Sequence, residues 1–147
     1  MDHVAILKKS LGLMPKLRSG HKTIESRWYQ SKRAPWGRIK ANDTVYFKNS
    51  GEPVTLKAKV LSVISLSDLT PEKVGQLLSQ YGSKIGIEAH EIPTFFERLK
   101  DKQLCLLIFL DKPETVKPFQ IDKTGFGMMS AWLSVHDIQS ITAPKTE

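Results

Sequence analysis

The residue types best suited to chemistry cluster in Ser19-Gly20-His21-Lys22-Thr23-Ile24-Glu25-Ser26-Arg27-Trp28. Gly20 suits a sharp helix-to-strand turn, because without a Cβ it can adopt positive φ at little cost. From Thr23 onward Ile24, Ser26 and Trp28 alternate with Glu25, Arg27 and Tyr29, which is the period of a β-strand. Glu25 and Arg27 therefore share a face, and Lys22 stands at the exit of the turn. A carboxylate beside two cations stays ionised and orients them rather than acting as a general acid. Arg27 can then offer its planar fork to a phosphate or a base edge. The plainer alternative is an ion pair that only braces the strand.

The following stretch, Trp28 to Arg38, interleaves aromatic residues with Lys32, Arg33 and Arg38. Stacking on an aromatic side chain contributes about 1–3 kcal/mol per base, and cations hold the backbone, so this composition suits single-stranded RNA or a splayed nucleotide. Trp28 lies on the apolar side of its strand and reads as core, whereas Trp36 is open to either role. The charge distribution agrees. Residues 1–40 carry ten Lys and Arg against Asp2 and Glu25, so the whole net charge of +7 originates there. Such segregation points to an anionic partner, against the simpler case of a solvated basic face.

The elements that must position these residues are short. Val4–Leu7 fits an opening strand, and Leu13–Arg18 a helix ended by Gly20. A loop from Ser31 to Ile39 leads through Asn42-Asp43 to a strand at Thr44–Lys48, and Asn49-Ser50-Gly51 turns into a long β-branched strand, Pro53–Ser65. Thr70 then caps a helix with Pro71 at its first position, and Val74, Leu77, Leu78 and Tyr81 form one stripe before Gly82. Ile92–Lys100 predicts a further helix packing through Phe95, Phe96 and Leu99. Leu104–Leu110 is apolar throughout, as a strand buried on both faces would be. Strands at Val116–Ile121 and Ser130–Val135 follow, then a closing turn at Asp137–Ile141. The expectation is a single domain spanning residues 1–147, of α+β class. Its sheet is mixed and largely antiparallel, with about six strands that curl or close and two or three flanking helices.

Composition narrows the function classes. The single cysteine, Cys105, excludes an intrachain disulfide and a multi-cysteine zinc site. His3, His21, His90 and His136 lack metal-ligand spacing, so no metal and no cofactor is expected. Gly125-Phe126-Gly127 lacks the full glycine pattern of a phosphate loop and reads as a turn. No run approaches the roughly 18 apolar residues of a membrane span, and Met1–Ser10 lacks a secretion-signal core, so a cytoplasmic location is expected.

On Gly20, Lys22, Glu25 and Arg27 the sequence resembles the ASCH family, whose signature is G-x-K-x-x-E-x-R. The preceding short helix, Asp43-Thr44-Val45-Tyr46-Phe47 after the basic loop, and the terminal Ser130-Ala131-Trp132 segment extend the likeness along the chain. The resemblance implies a PUA-like β-barrel with a cleft lined by the signature, in which RNA or a nucleotide-like ligand binds. Lys32, Arg33, Trp36 and Arg38 from the loop would join it, with Ser130 and Trp132 on alternation and likeness. The alternative is an enzyme, with Lys22 and Glu25 catalytic. Some ASCH-like proteins resemble amidohydrolases of N4-acetylcytidine, with a lysine base and a threonine nucleophile three residues on, and others are ribonucleases. Lys22 matches that lysine, but Glu25 occupies the nucleophile's place and Thr23 is expected to face away. A third possibility is a scaffold whose helices contact protein partners through Leu77 or Phe95.

Overall fold

The computed structural model describes residues 1–127 and 129–143. Its strands are β1 (Asp2–Leu7), β2 (Ile24–Tyr29), β3 (Thr44–Asn49), β4 (Val54–Leu66), β5 (Leu104–Leu110), β6 (Glu114–Phe119) and β7 (Trp132–Val135). The α-helices are α1 (Leu13–Ser19), α2 (Pro71–Ile85) and α3 (Ile92–Leu99). One sheet runs in the order β2-β5-β4-β3-β1-β7, and β6 lies along β4. β1 is parallel to β3, and the remaining pairings are antiparallel.

β4 organises this sheet because it is long enough to serve two neighbourhoods. Its first half pairs with β3 and β6, and after an irregularity between Val60 and Ser62 its second half pairs with β5. An extra residue at such a point bends a strand and raises its twist, which curls the sheet. Leu61, at the irregularity, is left exposed while Val60 is buried.

β5 explains why its sequence is apolar at every position. Leu106, Ile108 and Leu110 face the interior of the curl with Ala5, Phe47, Leu56 and Trp132, while Cys105 and Leu107 face α2 and α3. α1 closes the curl by inserting Met14 and Leu17 into the first of these cores. A third cluster, with Val4, Val54 and Leu133, is covered by the 3-10 turn Ile138–Ile141, whose Ile138 N–H donates to Asp2 and whose Gln139 N–H donates to Asp137.

Among the described residues the sheet has seven strands, against about six expected, and it curls without closing: the path ends at β2 and β7, and no pairing among those residues joins them. One expectation needs correction. The helix predicted to stop at Gly82 continues to Ile85 and ends at Gly86, whose φ of 102° is the left-handed cap. Gly82 is instead an interior helical residue where Ile92 crosses closely; a Cβ there would lie 3.5 Å from Ile92 Cδ1. The stripe itself is as predicted, with Val74 and Leu78 fully buried. Leu77 and Phe95 are half-buried against the helix-side core. No helix among the described residues is long and apolar enough to cross a membrane.

Candidate functional site

α1 ends at Gly20, in the left-handed conformation at φ 79°, and the chain reverses into β2. The reversal is pinned from both sides, since the Lys22 N–H donates to Lys16 O and the Thr23 N–H to Lys84 O. Lys22 is thereby carried inward and is only 2% exposed. Its ammonium donates to the carbonyl of Ile24 at 2.7 Å and to that of Ile85, and pairs with Glu25 Oε1 at 3.2 Å. An ammonium has three donors, so none is left for a ligand. Burial pulls its pKa below the ordinary lysine range, with Glu25 opposing that shift.

Glu25, 3% exposed, is the hinge of the cluster. Its second oxygen, Oε2, accepts from Arg27 Nη2 at 3.2 Å. Burial alone would raise this carboxyl, but Lys22 and Arg27 together hold it below the usual carboxylate range. The signature side chains thus form one chain of contacts, with the lysine at the closed end and the arginine at the open end.

Arg27 reaches across the gap between the two ends of the sheet. Its guanidinium donates to Ala131 O at 3.3 Å, just before β7, and lies within 3.5 Å of Ile6 O on β1. It also sits over the indole of Trp132, 5.0 Å from the ring centre, in cation–π geometry. A side chain therefore spans the place where a closed barrel would have backbone pairing. Three of its five N–H donors are engaged, leaving Nε–H and one Nη1–H.

Arg27 borders a cleft of about 490 Å³ between the start of the basic loop and the segment before β7. Arg27, Tyr29, Lys32, Arg33, Ser130 and Trp132 are among its walls. Among the described residues its charged lining is cationic, without a carboxylate. Lys32 and Arg33 are exposed and form no ion pair among the described residues. Ser130 Oγ donates to Phe126 O, which ties the wall to the turn behind it. The Tyr29 hydroxyl is pushed up to about 12 by burial, so it stays a neutral donor.

Trp132, the floor of this cleft, is fixed by a buried network. Its indole N–H donates to His3 Nδ1 at 3.1 Å, His3 Nε2 lies 2.9 Å from Asp43 Oδ2, and Ser134 Oγ lies 2.9 Å from Nδ1. An indole nitrogen can only donate, so Nδ1 must be the acceptor and the His3 proton resides on Nε2, donated to Asp43. Burial lowers the His3 pKa, consistent with a neutral ring. Asp43 is held below the usual carboxylate range, since the His3 and Lys40 N–H donors outweigh its burial.

Sequence reasoning singled out ten ligand-facing residues, and the structure distributes them unevenly. Arg27, Lys32, Arg33, Ser130 and Trp132 come together at the cleft. Lys22 and Glu25 lie behind it, on the wall of a separate hollow of about 150 Å³ on the helix side. The expected ligand contact by the Lys22 ammonium is corrected accordingly, because that group is buried and fully engaged. Gly20 borders a third hollow with Lys22, Thr23 and Leu110. Trp36 packs against the interior core and is not in the cleft lining, and Arg38 is exposed outside it. His3, Asp43 and Ser134 were missed as site residues. They meet only through the parallel β1–β3 and antiparallel β1–β7 registers, which no local pattern reveals.

No family model matches the chain, and no curated protein does. Among solved structures, the ASCH protein of Zymomonas mobilis is similar at 16% identity and TM-score 0.65, covering 97% of this chain and 96% of that one. A tyrosine-to-phenylalanine variant of that protein gives 17% identity and TM-score 0.64, covering 97% and 99%. A solved hypothetical protein is similar at 20% identity and TM-score 0.51 over 79% of this chain. At these identities the likeness is one of fold.

Proposed function

We propose that this chain, a domain with the ASCH fold, binds single-stranded RNA or a nucleotide segment of it in the Arg27–Trp132 cleft. The observation that carries this reading is the cleft's charge. Arg27, Lys32 and Arg33 stand on its walls, and no acid lies among them within the described residues. The two free donors of Arg27 suit a phosphate oxygen or a base edge, and the exposed Lys32 and Arg33 suit the backbone. Lys22 and Glu25 act from behind, by holding the guanidinium in place.

The enzyme reading has less support. Lys22 and Glu25 do share a hollow, but at about 150 Å³ it is smaller than the roughly 300 Å³ at which ligand pockets begin. Its lysine also has no free donor.

A fluorescence anisotropy titration with short labelled RNA at several salt concentrations tests the proposal. Each phosphate contact contributes a slope of about 0.7 in log K against log salt for a single strand, so Lys32→Gln with Arg33→Gln should flatten the slope by roughly 1.4. Binding that is tight and unchanged in the double variant removes the proposal. Release of acetate from N4-acetylcytidine, or cleavage of the RNA, by the wild type but not by Lys22→Met would establish the enzyme reading instead.

A further inference from the structure

A guanidinium is flat, and its N–H groups point outward in its own plane, so acceptors bonded to it consume edges and leave the two faces open. In Arg27 three acceptors take such edge positions: Ala131 O, Ile6 O and Glu25 Oε2. They come from the segment before β7, from β1 and from β2 itself, so the plane is held from three directions. Glu25, which Lys22 holds in turn, thereby fixes the orientation of the plane as well as its charge.

Trp132 covers one face of that plane. The guanidinium carbon lies over the indole, 5.0 Å from its centre. The indole is itself backed on its far side, since its N–H donates to His3 Nδ1 at 3.1 Å and the His3 ring lies 5.6 Å away between centres. Imidazole, indole and guanidinium thus form a column whose last member borders the cleft.

The aromatic residues of the cleft wall do not offer a stacking surface of their own. Among the described lining residues these are Tyr29 and Trp132. Trp132 is only 6% exposed, and Tyr29 packs against the interior core with its hydroxyl directed to Ala34 O. Arg27 keeps 15% of its side chain exposed. Single strands are held by stacking as well as by charge, and an arginine plane serves as a stacking platform in the way an aromatic ring does.

We infer that one unpaired base of the strand stacks on the second face of Arg27, extending the column, while Lys32 and Arg33 hold the adjoining phosphates. This rests on the cleft reading above and assigns the part that Arg27 plays in it. Arg27 is then the residue that determines specificity: it selects a planar base that is free of a pairing partner, and a purine, with its larger face, over a pyrimidine. The ligand class is an unstructured single strand. Base edges are read weakly, because the edges of the guanidinium are largely committed to the protein.

The test changes the base without changing its edge. Dihydrouridine keeps the O2, N3–H and O4 of uridine and the same phosphates, but saturation of C5–C6 puckers the ring and removes its flat face. A uridine hexamer should bind about tenfold more tightly than a dihydrouridine hexamer, with the same salt slope. One uridine restored within the dihydrouridine hexamer should recover most of that difference, and one adenosine more. Arg27→Lys keeps the charge and removes the plane, so it should bind the uridine and dihydrouridine hexamers equally and leave the salt slope as in the wild type; circular dichroism verifies its fold. Equal binding of the two hexamers by the wild type overturns the inference and leaves the cleft reading standing. A difference that survives in folded Arg27→Lys places the stack on another residue and also overturns it, as does an adenosine that restores less than a uridine. Should Arg27→Lys fail to fold, the hexamer comparison on the wild type decides alone. Failure of every hexamer to bind at low salt defeats the cleft reading itself.

Discussion

Replacing Glu25 by glutamine preserves the shape of the side chain while removing the one negative charge between two cations. Its oxygens lie 3.2 Å from Lys22 Nζ and 3.2 Å from Arg27 Nη2. At an effective dielectric constant near 20, a unit pair at that separation attracts by about 5 kcal/mol before desolvation is deducted. Lys22 is only 2% exposed and cannot recover hydration when its partner is neutralised. The amide introduced by the substitution would also turn an N–H group toward one of the two cationic donors. Removing one member of a buried ion pair costs about 3–5 kcal/mol, and that is the expected loss for Glu25→Gln at pH 7. For a chain of this size it corresponds to roughly 6–20 °C in Tm. The assay is urea unfolding, read as a shift in midpoint at unchanged m. The pH dependence supplies a second criterion. Glu25 is held below the ordinary carboxylate range, so its contribution is present above that range and is lost as pH falls through its folded value. The gap between wild type and Glu25→Gln should therefore close in acid. A gap below about 1 kcal/mol at pH 7, or one that persists undiminished in acid, refutes the reasoning.

Other predictions concern positions where the backbone or a buried proton decides. Gly82→Ala fills ordinary contact space against Ile92 within a helix and should stabilise by about 0.5–1 kcal/mol, whereas Gly86→Ala, at φ 102° and 3.2 Å from Leu13 Cδ2, should destabilise; chemical denaturation of both distinguishes the interior glycine from the cap. The His3 pKa is lowered by burial, so the unfolded chain binds its proton first as pH falls, and stability should decline below about pH 6.5 by up to ~1.4 kcal/mol per pH unit. Thermal melts between pH 7.5 and 5.5 measure this, and a flat profile contradicts it. Cys105 is buried and its thiol is pushed up to about 12, so thiol reagents should label it only on unfolding.

Much of this architecture is legible locally. Strand alternation from Ile24 to Tyr29 places Glu25 and Arg27 together, and the unbroken apolar run Leu104–Leu110 announces a strand with cores on both faces. What sequence cannot convey is depth. Lys22 reads as a ligand-facing cation at the exit of a turn, yet the folding of α1 against the turn after α2 carries it under the surface, where Ile85 supplies a carbonyl. Gly82 reads as a stop because glycine ends helices, but the helix runs on past it to Ile85 and takes its left-handed cap at Gly86. Trp36 is open to either role in the sequence, and the fold draws it against the core. The His3–Asp43–Ser134 network requires strand order, since His3 faces Ser134 only after β7 pairs with β1. Arg27 is the intermediate case: its type and face are evident from spacing, but its role as a strut between the sheet's two ends depends on the sheet remaining open.

The most direct measurement is an NMR titration of the protein with a short single-stranded RNA at low salt, following backbone amides and arginine Nε–H signals. The account predicts that the largest shifts fall on Arg27 Nε–H, Lys32, Arg33 and Ser130–Trp132, and that they shrink as salt is raised. Shifts confined to the hollow of Thr44, Lys57 and Asp111 on another face, with Arg27 and the Ser130–Trp132 segment unmoved, would contradict it.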